Sequence, residues 1–75
     1  MSELAILDKS GDVKVAWDTG NAEEVAFARR AFVEQRKKGF AAFRVSGANW
    51  RKGEAITEFD PEAERIIMTP PIVGG

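Results

Sequence analysis

The chain ends Met68-Thr69-Pro70-Pro71-Ile72-Val73-Gly74-Gly75, and the group there with chemical reach is the α-carboxylate of Gly75. A carboxylate becomes an acyl donor only when one of its oxygens is converted into a good leaving group. An enzyme that does this must surround the group and exclude water. Gly74 and Gly75 carry no Cβ, so their backbone can enter a space too narrow for any other residue. Pro70 and Pro71 lack a backbone N–H, so sheet pairing must weaken or end at them. Thr69, which precedes a proline, is pushed to extended backbone. The run therefore reads as an apolar strand, a stiff exit positioned by Pro70, Pro71, Ile72 and Val73, and a tip without side chains. Fully extended, Pro70 to Gly75 reaches on the order of 20 Å. A glycine pair at a chain end is also a common frayed terminus, so the dipeptide alone leaves both readings open.

Other reactive chemistry is poorly supplied. The 75 residues include no cysteine and no histidine. That removes a disulfide framework, a Cys/His zinc site, and Cys–His or Ser–His–Asp catalysis within the chain. Asp60 with Glu62, or Glu58 with Asp60, could be drawn as an acid/base pair, but acidic residues around a turn more often cap it and face water. Gly47 and Gly53 are isolated, so there is no phosphate-cradling glycine loop. The expectation is a protein that is not itself an enzyme and binds no metal or cofactor. Eleven basic and twelve acidic residues, interspersed and summing to −1, argue against nucleic acid or an anionic membrane as partner. No apolar run approaches the roughly 20 residues of a membrane span, and Met1-Ser2-Glu3-Leu4 does not begin a signal peptide, so a cytoplasmic location is expected.

The elements that must hold the tail follow from periodicity. A hydrophobic content of 44% with 31% charged residues is that of a globular chain, and the length allows one domain with a small core. Leu4, Ile6, Val13, Val15 and Trp17 alternate with other residues around the turn cluster Asp8-Lys9-Ser10-Gly11-Asp12, which predicts a hairpin of strands near 3–8 and 12–18. Asn21 with Glu24 three residues on resembles a capping box, Arg36, Lys37 and Lys38 suit a helix C-terminus, and Gly39 is a natural stop. A helix over 22–38 follows, with Val25, Ala28, Ala31, Phe32 and Gln35 on one face and Phe27 and Val33 on its flanks. Ala41–Val45 reads as a third strand with Ala41, Phe43 and Val45 on one side and Ala42 and Arg44 on the other. A polar loop over 46–53 contains Trp50, which either folds back on the core's edge or serves as a binding aromatic. Glu54–Phe59 reads as a short strand, Asp60-Pro61-Glu62-Ala63 as a capped single helical turn, and Ile66, Ile67 and Met68 as part of a buried last strand.

One helix with one apolar stripe must cover one face of one sheet. The expected class is α+β, in the order ββαβ(β)β, a mixed sheet with the helix packed on one face. Residues 1–69 form the single domain and 70–75 the projecting tail. The uncovered face is expected to carry Ala5, Leu7, Lys14, Ala16, Ala42, Arg44 and Ile67, more apolar than a merely solvated face requires. Leu7, Ala16, Ala42, Arg44, Ile67 and Trp50 are the candidate partner-binding residues.

This layout, with its terminal diglycine, resembles the β-grasp proteins of the ubiquitin-like group over nearly the whole chain. The tail is similar to that of bacterial sulfur carriers such as the molybdopterin synthase small subunit, whose terminal pattern is of the kind Phe-x-Pro-Pro-x-x-Gly-Gly; here Met68 stands in the aromatic place. The thiamine sulfur carrier also ends in a diglycine. The 46–61 region does not match these carriers. The resemblance implies a carrier that is substrate rather than catalyst. A ubiquitin-activating-type enzyme would bind the open face, thread the tail to ATP, and form an acyl-adenylate at Gly75. The activated carbonyl would then become a thiocarboxylate for a sulfur-accepting synthase subunit, or pass to the amines of conjugation targets. The alternative is a plain β-grasp interaction module with incidental glycines.

Overall fold

The computed structural model describes residues 1–9, 11–45 and 53–71. It contains β1 (Ser2–Asp8), β2 (Gly11–Trp17), α1 (Ala22–Lys37), β3 (Ala41–Val45), β4 (Glu54–Ile56) and β5 (Arg65–Thr69). The protein is a small α+β fold in which the helix packs on a five-stranded mixed sheet of order β2-β1-β5-β3-β4. β1 pairs antiparallel with β2 and parallel with β5, while β3 pairs antiparallel with both β5 and β4.

The local signals act as their chemistry requires. Asn21 holds the helix start: its side-chain oxygen accepts from the N–H groups of Glu23 and Glu24, both at 3.1 Å. Glu24 does not close the reciprocal half of a capping box; its carboxylate accepts instead from Asp18 N–H at 2.8 Å, tying the helix to the end of β2. At the other end Gly39, at φ +94°, takes the conformation that a side chain resists. Phe40 N–H donates to the Gln35 carbonyl and Gly39 N–H to the Arg36 carbonyl, each at 3.0 Å, the bond pair of a Schellman stop.

The predicted helix stripe forms: Ala28 and Phe32 are buried, with Val25 and Ala31 packed against the same core. They meet Leu4, Ile6, Trp17, Ile66 and Met68, which are at most 6% exposed. Trp17 also satisfies its one polar atom, donating Nε1–H to the Pro61 carbonyl at 3.0 Å. Phe59 lies beyond β4 and completes the cover, its ring 5.1 Å from that of Trp17 and 5.8 Å from that of Phe32. The expected helical turn at 60–63 is a hydrogen-bonded turn instead: Ala63 N–H donates to the Asp60 carbonyl at 3.2 Å, and the Asp60 side chain accepts from Glu62 N–H at 2.9 Å.

The phase of β3 corrects the expectation. Ala42 pairs with Met68 and Ile56, and Arg44 with Ile66 and Glu54, so Ala42 and Arg44 lie on the helix-covered face. Phe43, opposite Ile67 and Ala55, lies on the open one. The reason is steric: Ala42, 2% exposed, is the small residue of its rung and lies between the bulkier Met68 and Ile56.

These assignments predict a sharp contrast within α1. Phe32→Ala should cost about 3–5 kcal/mol, on the order of the whole stability of so small a domain. Phe27→Ala, at a side chain 62% exposed, should change it by no more than about 0.5 kcal/mol. Urea denaturation followed by tryptophan fluorescence measures both.

Candidate functional site

The tail leaves from the middle of the sheet. β5 has β1 on one side and β3 on the other, so its end is not an edge. The last rung to β1 is Ile6 with Met68, and the last to β3 is Ala41 with Thr69. Pairing therefore stops where the prolines begin, because neither proline can donate to a neighbour. Pro70 and Pro71 are both exposed. Pro71 lies against the helix stop: its Cβ is 3.5 Å from where a Cβ on Gly39 would sit. From the registers, this end of the sheet is shared with the β1–β2 turn and the start of β3. Ile72, Val73, Gly74 and Gly75 lie outside the described residues.

The open face is continuous and largely apolar. Its central rung runs Lys14, Ala5, Ile67, Phe43, Ala55. Leu7, Phe43 and Ile67 are half-buried, and Ala16 is exposed. At the margin far from the tail exit, Arg65 Nε lies 3.4 Å from a Glu3 carboxylate oxygen. No element among the described residues covers this face. Of the candidate partner residues, Leu7, Ala16 and Ile67 share it. Ala42 belongs to the core, Arg44 is on the opposite face, and Trp50 falls outside the described residues. Phe43 was missed because strand alternation fixes which residues share a face, not which face the helix takes.

Gly53 stands one residue before β4 and close to this surface. A Cβ there would lie 3.2 Å from both Phe43 Cβ and Val45 Cγ1, so any side chain would force these neighbours to shift.

Arg44, on the helix-covered face, is held in two ion pairs. Its Nη1 donates to Asp60 Oδ2 at 2.7 Å and its Nη2 to Glu54 Oε2 at 2.6 Å. It thereby joins β3 to β4 and to the 60–63 turn. The hydrogen bond from Arg44, and then the one from Glu62 N–H, hold the Asp60 carboxyl below its ordinary range. A carboxyl held ionised in this way suits an anchor for the turn. Among the described residues there is no cluster of three or more metal-ligating side chains, and no helix is long and apolar enough to cross a membrane.

The lowered Asp60 value fixes the sign of a pH effect. Its stabilising contribution is complete above the unfolded carboxyl range near pH 4 and is lost as pH falls through the lower folded value. Asp60→Asn keeps an oxygen for Glu62 N–H but removes the charge. It should lower the thermal midpoint at neutral pH, and its deficit relative to wild type should shrink below about pH 4. Calorimetry at a series of pH values reads this; a gap that stays constant contradicts the assignment.

Comparison with known proteins finds no family model, no curated protein and no solved structure that matches the chain.

Proposed function

We propose that the protein is a β-grasp, ubiquitin-like carrier whose Gly75 carboxylate is adenylated by a ubiquitin-activating-type enzyme, most simply for sulfur transfer as a thiocarboxylate. The observation that carries this reading is the exit: β5 is a central strand, its pairing ends at Thr69, and Pro70 and Pro71 follow it exposed at the sheet's end. The strand order, with β1 and β5 parallel at the centre and one helix across one face, is compatible with a β-grasp arrangement.

The chemistry proceeds in two displacements. A carboxylate oxygen of Gly75 attacks the α-phosphorus of ATP, an O–P bond forms, and pyrophosphate leaves. A hydrosulfide-level donor then attacks the acyl carbon, the bond to AMP oxygen breaks, and a thiocarboxylate remains. The chain's own contribution is presentation. Glycines admit the backbone to a narrow channel, and the prolines lower the ordering cost of insertion. The open face, with Leu7, Phe43 and Ile67, is the surface on which the activating enzyme would sit. That apolar face also favours a second reading, a protein-interaction module that is never activated. Conjugation to target amines differs from sulfur transfer only in the nucleophile.

Incubation with a purified adenylating enzyme and ATP tests the carrier reading. Wild type should support ATP–pyrophosphate exchange, and deletion of Gly75 should abolish it. Ala16→Glu, at an exposed open-face position, should raise the concentration for half-maximal exchange about tenfold. Equal exchange by wild type and the deletion overturns the proposal. Intact mass then separates the fates: replacement of one oxygen by sulfur marks a carrier, and larger adducts mark a modifier.

A further inference from the structure

On the side of the sheet opposite the open face, α1 and the segment after β4 border a groove of about 610 Å³, with Arg29, Val33, Arg36 and Lys37 on one wall and Thr57, Glu58 and Phe59 on the other. Phe32, almost fully buried, forms its floor beside the Phe59 ring. Val33 opens into it, 41% exposed, although a valine on a solvated helix flank gains nothing from water. The volume is within the range of sites that accept one or two bulky side chains.

The charge around this apolar slot is one-sided. Three cations face a single carboxylate, in a chain whose overall charge is −1. Two of the cations are already positioned. The Arg29 guanidinium lies 5.8 Å from the Phe59 ring centre, and Arg36 Nη1 donates to the Phe40 carbonyl at 2.8 Å. Side chains held before binding lose less entropy on binding. Lys37 is exposed and adds the third charge.

We propose that this groove docks an acidic segment of a partner protein, with one bulky apolar side chain seated between Val33 and Phe59 and flanking carboxylates on Arg29, Arg36 and Lys37. The site is on the helix side of the sheet, opposite the open face, and the docking involves no reaction at Gly75. An apolar slot rewards a leucine or aromatic anchor, and the cations select against basic or neutral sequences.

The test is a titration of the isotope-labelled full chain, followed by amide NMR, with a short acetylated and amidated peptide of alternating glutamate and leucine. Saturable shifts are expected at Val33, Lys37, Thr57 and Glu58, with the amides of Leu7 and Phe43 unmoved. Lys37→Glu and Val33→Ser, both at exposed positions, should each weaken binding about tenfold. Phe27→Ser, on the other flank, should leave it unchanged. A peptide with serine in place of leucine, or lysine in place of glutamate, should not saturate the groove. Equal binding of the serine peptide reduces the site to charge attraction and overturns the proposal. So do shifts centred on the open sheet face, or no saturable shift in the groove at all.

Discussion

Parallel pairing of β1 with β5 is the constraint on which the rest of the molecule depends. It sets the first and last strands side by side at the centre of the sheet, Leu4 beside Ile66 and Ile6 beside Met68. These four side chains are at most 6% exposed. Neither strand can be satisfied by its sequence neighbours alone: β1 takes β2 on its other side and β5 takes β3. The core closes only when the last strand is in place. The point at which the tail departs therefore inherits the rigidity of the best-held part of the sheet, although the departing segment is proline and solvent-exposed.

A sixteen-residue helix is a narrow cover for five strands, and the fold makes up the difference with aromatics and a clamp. Trp17 fills the space beside α1, and Phe59 lies edge-on or tilted against both Trp17 and Phe32. The segment that brings Phe59 there has no regular structure to hold it. It is fixed by side chains: Arg44 grips Asp60, Asp60 organises its own turn, and Trp17 donates to Pro61. The groove along α1 is a consequence of this solution. An irregular segment anchored at its far end approaches the helix through one ring, and the space beside that ring stays open.

Much of this was legible from residue types. The Asn21 cap, the Gly39 stop, the hairpin around Gly11 and the stripe Val25, Ala28, Ala31, Phe32 each depend on local chemistry, and each forms within a residue or two of expectation. The end of pairing at Thr69 was legible for the same reason, since a proline's missing N–H is a local fact. The face of β3 was not. Ala41-Ala42-Phe43-Arg44-Val45 offers apolar residues on both sides, and bulk favoured putting Phe43 inside. What decides is the rung, where Ala42 lies between Met68 and Ile56 and Arg44 finds two carboxylates that are 10 and 16 residues away in sequence. Those contacts are non-local, and period-2 alternation carries no information about them. The groove was illegible for a similar reason: Val33 and Lys37 are unremarkable until Phe59 is brought opposite them.

The corrected phase changes the character of the open face in a direction that matters for any partner. Exchanging Ala42 and Arg44 for Ala41, Phe43 and Val45 removes a charge from the surface and adds an aromatic beside Ile67. The charges that remain lie toward the edges: Glu3 with Arg65 at the margin remote from the exit, and Asp12 and Lys14 on the edge strand β2. Leu7 lies one residue beyond the last β1–β5 rung, and Ala41 lies opposite Thr69 on the last β3–β5 rung, so the apolar stripe runs up to the point where pairing ends. A partner seated on that stripe would hold the base of the tail through the sheet itself and would need no contact with the tip to aim it. Recognition and presentation would then be carried by different residues: the former by desolvating Phe43, Ile67 and Leu7, the latter by the stiffness of Pro70 and Pro71.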